Sequence, residues 1–132
     1  MKAIDTNLVV RLLLADDPLQ TAIATAVIDA GNVVVPPTVV LETLWVMRSN
    51  YGASDADILR SLQQLSRHPS ITIGTDSEQA AEFLRLWAAG LDPEDAAHVA
   101  FVGETDAFVT FDKDFSKRAK KAGSTVPVEL AR

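Results

Sequence analysis

Two rhythms of apolar residues alternate along this chain. Short, mainly apolar runs, Ala3-Ile4, Val33-Val34-Val35, Ile71-Thr72-Ile73 and Phe108-Val109-Thr110, are separated by longer segments whose apolar residues recur at helical spacing. The short runs predict buried strands. The first helix is predicted over Thr6 to about Ala15, with Leu8, Val9, Leu12 and Leu13 at helical spacing. Asp17 is a plausible N-cap with Pro18 at the first helical position, and the second helix runs from there to Gly31. A third helix is expected from Thr38, as its cap, to about Ser49, ended by Asn50-Tyr51-Gly52. A fourth opens with Ser54 and Asp57 and reaches about Arg67.

Beyond His68-Pro69 and the Ile71–Ile73 strand, helices are predicted from Ser77 to Ala89, from Asp92-Pro93 to Val102, and from Phe115 to Ala122. Val126 and Val128 suggest a last edge strand, the one place Pro127 is tolerated. Strands that alternate with helices throughout predict an α/β fold: a parallel four- to five-stranded sheet with helices on both faces. The 132 residues fit a single domain over 1–132.

Composition narrows the classes. No apolar run approaches the roughly 20 residues of a membrane-spanning helix, and no charged leader precedes Ile4, so a soluble cytoplasmic protein is expected. The absence of cysteine excludes disulfides and thiolate metal sites. The net charge of −6 argues mildly against a general nucleic-acid binder, yet half of the 12 Lys and Arg lie in the last stretch, Lys113 to Arg132. A local basic patch can draw phosphate to a protein that is acidic as a whole.

The candidate chemistry is carried by acids. Asp5 follows the first strand, Glu42 lies on the helix after the second, Asp112 follows the fourth, and Asp95 is in the first turn of the helix leading to the fourth. In a parallel sheet these positions fall at one edge, where open α/β folds place their ligands. Each aspartate alone has a bland explanation as a helix cap, Asp95 through a capping arrangement with Asp92. Glu42 resists that: it is the only charged residue from Val33 to Met47, and its helix is apolar nearly all round, so it is expected to be buried. The bland alternative is a salt bridge from Glu42 to Arg11 or Arg48. Four carboxylates at one edge would repel one another without a cation between them. Hard oxygen ligands without His or Cys select Mg²⁺ or Mn²⁺ over zinc.

At these residues the chain resembles a PIN-domain ribonuclease, more closely a VapC-type toxin of a toxin–antitoxin pair. The matching motifs are Ile4-Asp5-Thr6-Asn7, Glu42 in its apolar helix, Glu94-Asp95-Ala96-Ala97-His98-Val99-Ala100, and Val109-Thr110-Phe111-Asp112-Lys113-Asp114-Phe115. Their order and spacing agree over essentially the whole chain. The resemblance implies a PIN fold, a metal-dependent endoribonuclease with Mg²⁺ (Mn²⁺ as a substitute), a homodimer or higher toxin–antitoxin assembly, and a VapB-type antitoxin. The implied RNA substrate is a transfer RNA, cleaved to a 5′-phosphate and a 3′-hydroxyl. Asp5, Glu42 and Asp95 map onto the family's acidic cluster. The fourth acid is Asp112 or Asp114, two apart in one loop, with Asp112 nearer the strand end. Glu94 stands where the family often has a small uncharged residue and adds negative charge.

Thr6, Asn7 and Thr110 are placed to orient carboxylates or phosphate, or to make local turn and cap hydrogen bonds. His98 lies one turn after Asp95 and fits a packed neighbour better than a ligand. Lys113, Lys117, Arg118, Lys120 and Lys121 either steer RNA towards Asp112 or form a solvated helix face. The apolar surplus on the first helix, with Trp45, Met47, Phe83, Leu86 and Trp87, exceeds what a small core needs, so part of it is expected to meet a partner. A haloacid-dehalogenase-type phosphatase would need a second aspartate where this chain has Asn7. Two rivals stay open: a degenerate PIN module that only binds protein, and a PIN nuclease of RNA processing without an antitoxin.

Overall fold

A computed structural model describes all 132 residues. The elements run β1 (Lys2–Ala3), α1 (Thr6–Leu14), α2 (Pro18–Asp29), β2 (Val33–Val35), α3 (Pro37–Tyr51), α4 (Asp55–Ser66), β3 (Ile71–Ile73), α5 (Ser77–Ala88), α6 (Pro93–Ala100), β4 (Phe108–Thr110), α7 (Lys113–Ala122) and β5 (Val128–Leu130). This is the expected α/β alternation with parallel strands. The strands are hydrogen-bonded in two sets, one ordered β1-β2-β3 and one pairing β4 with β5. The chain divides into two compact units, Met1–Ser77 and Glu78–Arg132.

In the first unit β2 is the middle strand, in parallel register with Lys2 opposite Val33 and Val33 opposite Ile71. All three strands therefore point their carboxyl ends to one edge, where Asp5, Pro36 and Gly74 follow. β1 departs from expectation. It is a two-residue edge strand whose Lys2 and Ala3 are exposed, and only Ile4 beyond it is buried. The core of this unit is Val9 and Val10 of α1, Val33 and Val35 of β2, Val40 and Leu44 of α3, Ile58 and Leu62 of α4, and Ile71 and Ile73 of β3. Alternate residues of β2 and β3 are buried because successive side chains of a strand point to opposite faces.

Several helix boundaries follow from local chemistry. Asp17 accepts the Gln20 amide hydrogen with Pro18 behind it, and Ser54 accepts that of Asp57 at 3.1 Å. α3 starts differently: Pro37 occupies its first turn and Pro36 precedes it without a side-chain cap, so Thr38 is inside the helix and does not cap it. A proline at that position removes one of the amides a cap would have served. α3 ends at Gly52, whose left-handed φ of +61° few side chains adopt.

In the second unit β4 and β5 pair in parallel, Phe108 opposite Val128 and Thr110 opposite Leu130. Pro127 lies just before β5, and its carbonyl accepts the Phe108 amide hydrogen at 2.8 Å, a bond for which proline needs no N–H of its own. The core holds Phe83, Leu86 and Trp87 of α5, Ala96, Ala97 and Val99 of α6, and Phe115 and Ala119 of α7. Phe83 packs between Trp87 and Phe101 with ring centroids 5.7 and 5.2 Å away. Met47, Phe83, Leu86 and Trp87 are thus interior, and of the apolar surplus named from the sequence beyond α1 only Trp45 is exposed. No helix is long and apolar enough to cross a membrane.

Candidate active site

Asp5 leaves β1 and caps α1: its Oδ1 accepts the Leu8 amide hydrogen at 3.1 Å. The cap consumes one lone pair of an exposed carboxylate and leaves Oδ2 free for a ligand. Thr6, the first residue of α1, is buried, whereas Asn7 is exposed. Asn7 and Asp5 share a cleft of about 300 Å³ with Leu8, Arg11, Gln20, Ile23 and Ala24.

Glu42 is in the second turn of α3, which begins at the carboxyl end of β2, the strand paired with β1. The expectation that Glu42 is buried is wrong. Val40, Thr43, Leu44 and Met47 form the buried stripe of α3, at i, i+3, i+4 and i+7, while Glu42 and Trp45 face solvent. An apolar composition nearly all round the helix concealed which face packs. The two arginines considered as Glu42 partners are engaged elsewhere, Arg11 with Asp16 at 2.5 Å and Arg48 with Asp55 at 2.7 Å. Glu42 is therefore an exposed carboxylate without an ion pair.

In the second unit, Asp112 follows β4 and caps α7, its Oδ1 accepting the Phe115 amide hydrogen at 3.0 Å. Its own amide donates to Thr110 Oγ1 at 3.0 Å. Thr110 thus makes the local turn bond, and that bond fixes where the Asp112 carboxylate points. Asp114 lies in the first turn of α7, exposed, and has no capping role.

Asp95 sits in the first turn of α6, half-buried, in no hydrogen bond or ion pair. The capping arrangement considered for Asp92 and Asp95 is absent, because Asp92 precedes α6 without a side-chain cap bond. Burial raises the Asp95 carboxyl above its ordinary 3.8, and Asp92, Asp112 and Glu94 push the same way against a smaller opposing pull from His98. Asp92, treated from the sequence only as a cap, belongs to this acidic surround; its ion pair with Arg118 is long, at 3.8 Å, and exposed. His98 is exposed and stacks on Phe108, with centroids 6.0 Å apart, which agrees with a packing role.

No three His, Asp or Glu side chains are grouped in the structure so as to hold a metal ion. The donor chemistry nonetheless suits a hard cation. The acids present oxygen only, Asp5 and Asp112 each keep a free carboxylate oxygen, and Asp95 is a half-buried acid beside Asp92, Asp112 and Glu94.

Beside the acids, sequence reading missed Phe111. It stands between Thr110 and Asp112 with 87% of its surface exposed. Alternation along β4 was the available signal: Phe108 and Thr110 are half-buried while Val109 and Phe111 point outward.

A comparison with protein-family models matches the PIN domain over residues 2–121. No curated protein and no solved structure matches.

Proposed function

The chain belongs to the PIN domain family, and on that premise we propose that it is a metal-dependent endoribonuclease acting as a VapC-like toxin. The observation that carries the proposal is Asp95, a half-buried carboxylate with no donor or cation of its own among Asp92, Glu94 and Asp112. Such an acid is costly as structure and useful as a ligand. The proposed ligands are Asp5, Glu42, Asp95 and Asp112, with Asp114 as the alternative fourth acid, and Mg²⁺ as the ion, replaceable by Mn²⁺. When bound, the ion supplies an activated water and offsets negative charge on the phosphate in the transition state.

The protein's own residues prepare that chemistry. The caps at Asp5 and Asp112 hold each carboxylate in one rotamer while leaving an oxygen free. The Thr110 bond fixes the loop that carries Asp112. Lys113, Lys117, Lys120 and Lys121 give α7 an exposed cationic face that draws in the RNA backbone.

The toxin role rests on fitness for a partner. The cleft beside Asp5 is continuous with exposed Ile23, and Leu19 nearby on α2 is also exposed. An apolar segment of a VapB-type antitoxin laid there would cover Asp5 and block the site. Exposed Trp45 suits a homodimer, alone or within a larger toxin–antitoxin assembly. Transfer RNA is the proposed target, and the cytoplasm the compartment.

Expression of the chain in bacteria tests this reading. It should arrest growth and translation, Asp5→Asn should not, and co-expression of a small DNA-binding protein encoded beside it should restore growth. Arrest that persists in Asp5→Asn would sink the nuclease as its cause.

A further inference from the structure

Phe111 is the most exposed large apolar side chain of the chain, at 87%. An exposed phenylalanine forfeits the stabilisation that burial would bring, so its position calls for a physical reason. It is also firmly presented. On one side the Thr110 carbonyl accepts the Ala131 amide hydrogen at 2.8 Å; on the other, the Asp112 amide donates to Thr110 Oγ1 and the Asp112 carboxylate caps α7. The ring therefore projects from a short, hydrogen-bonded turn.

A second, independent feature lies immediately after it. On α7, Lys113, Lys117, Lys120 and Lys121 recur at i, i+4, i+7 and i+8, so they share one face, opposite buried Phe115 and Ala119. None of these lysines is in an ion pair. Four unpaired cations on the helix that directly follows one exposed aromatic ring match an unpaired polynucleotide, whose phosphates track the charges while a base stacks on the ring. A duplex keeps its bases stacked inward and offers the ring nothing, and an apolar protein partner would gain nothing from the lysine row.

We infer that Phe111 and the lysine face of α7 form a nucleotide-binding element in which one unstacked base of single-stranded RNA lies on Phe111. This rests on the proposed nuclease, because it places the held nucleotide next to Asp112. Phe111 is then a base-stacking residue that sets which nucleotide is held at the site, while the lysines set how strongly the backbone is drawn in.

The test is fluorescence anisotropy with a labelled 12-nucleotide single-stranded RNA and a duplex of the same sequence, in Mg²⁺, on an Asp95→Asn background that keeps the RNA intact. Phe111→Ala should weaken single-strand binding about 5- to 140-fold, the range for one stacked base, without changing the salt slope. Phe111→Trp should retain binding, and duplex binding should be indifferent to both. Lys113→Ala and Lys117→Ala should each lower the salt slope by about 0.7. Single-strand affinity unchanged in Phe111→Ala would overturn the inference. So would equal losses on single strand and duplex, or a fall in oligomer size as the sole effect of Phe111→Ala, which would make the ring a protein contact. The nuclease reading fails separately: wild-type protein that binds the single strand through Phe111 but never cleaves it would leave this element standing and remove the catalysis.

Discussion

Asp112, at the end of β4, adds to the effect of burial and then of Asp92 in raising the Asp95 carboxyl on α6 above its ordinary range. An acid whose own charge is disfavoured in the folded state is a source of instability unless something else relieves it. Here the proposed relief is a divalent cation.

Stability should report that relationship through pH. Burial, Asp92 and Asp112 raise the Asp95 carboxyl above 3.8 in the folded protein. The folded state thus binds this proton more tightly than the unfolded chain, and ionisation costs stability. The cost is absent well below 3.8 and complete above the raised value. Asp95→Asn should therefore melt at a higher temperature than wild type at pH 7 in EDTA, and lose that advantage at pH 3. Equal melting temperatures at pH 7 would contradict it.

Glu82 should behave in the opposite sense. Burial pushes its carboxyl up, but hydrogen bonds from the Thr125 amide and the Arg85 guanidinium outweigh this and hold it below 4.5. Its contribution is present above 4.5 and fades as pH falls through the lowered folded value. Glu82→Gln should destabilise at pH 7 and converge with wild type in acid. Arg85 also donates to the Ala122 and Gly123 carbonyls at 2.7 and 3.0 Å, closing the end of α7. Arg85→Ala should cost about 1–2 kcal/mol in urea unfolding.

Asp112 caps α7 and is a proposed metal ligand, and the two roles can be separated. Asp112→Asn keeps an oxygen to accept the Phe115 amide hydrogen, so stability should hold within about 0.5 kcal/mol while RNA cleavage is lost. Asp112→Ala should lose cleavage and also about 1 kcal/mol of stability. An Asp112→Asn protein with full activity would shift the role to Asp114.

Glu42→Gln isolates charge from packing. The side chain is exposed and makes no ion pair, so the change should alter unfolding free energy by less than about 0.5 kcal/mol. Cleavage should nevertheless fall steeply. Stability lost in step with activity would point to a structural carboxylate.

The elements were legible wherever local chemistry decides them. Asp17-Pro18 and Ser54 with Asp57 cap their helices as the sequence suggests, and Gly52 ends α3. What escaped depends on packing. The composition of α3 does not reveal that the stripe Val40, Thr43, Leu44 and Met47 turns Glu42 to solvent. Thr38 lost the capping position to a proline pair whose backbone already suits a helix start. Asp92 and Asp95 look like a capping pair by spacing, yet the Asp92 side chain makes no cap bond. Phe111 was hidden because exposure is a property of the whole fold, even though alternation from Phe108 foreshadowed it.

The most direct measurement is cleavage of bulk RNA by the purified protein with Mg²⁺, Mn²⁺ or EDTA, beside Asp95→Ala. The account predicts cleavage with either ion, none in EDTA and none by Asp95→Ala, with 5′-phosphate and 3′-hydroxyl products. Cleavage that survives EDTA or the loss of Asp95 would contradict it, as would intact RNA under every condition with no metal uptake by calorimetry.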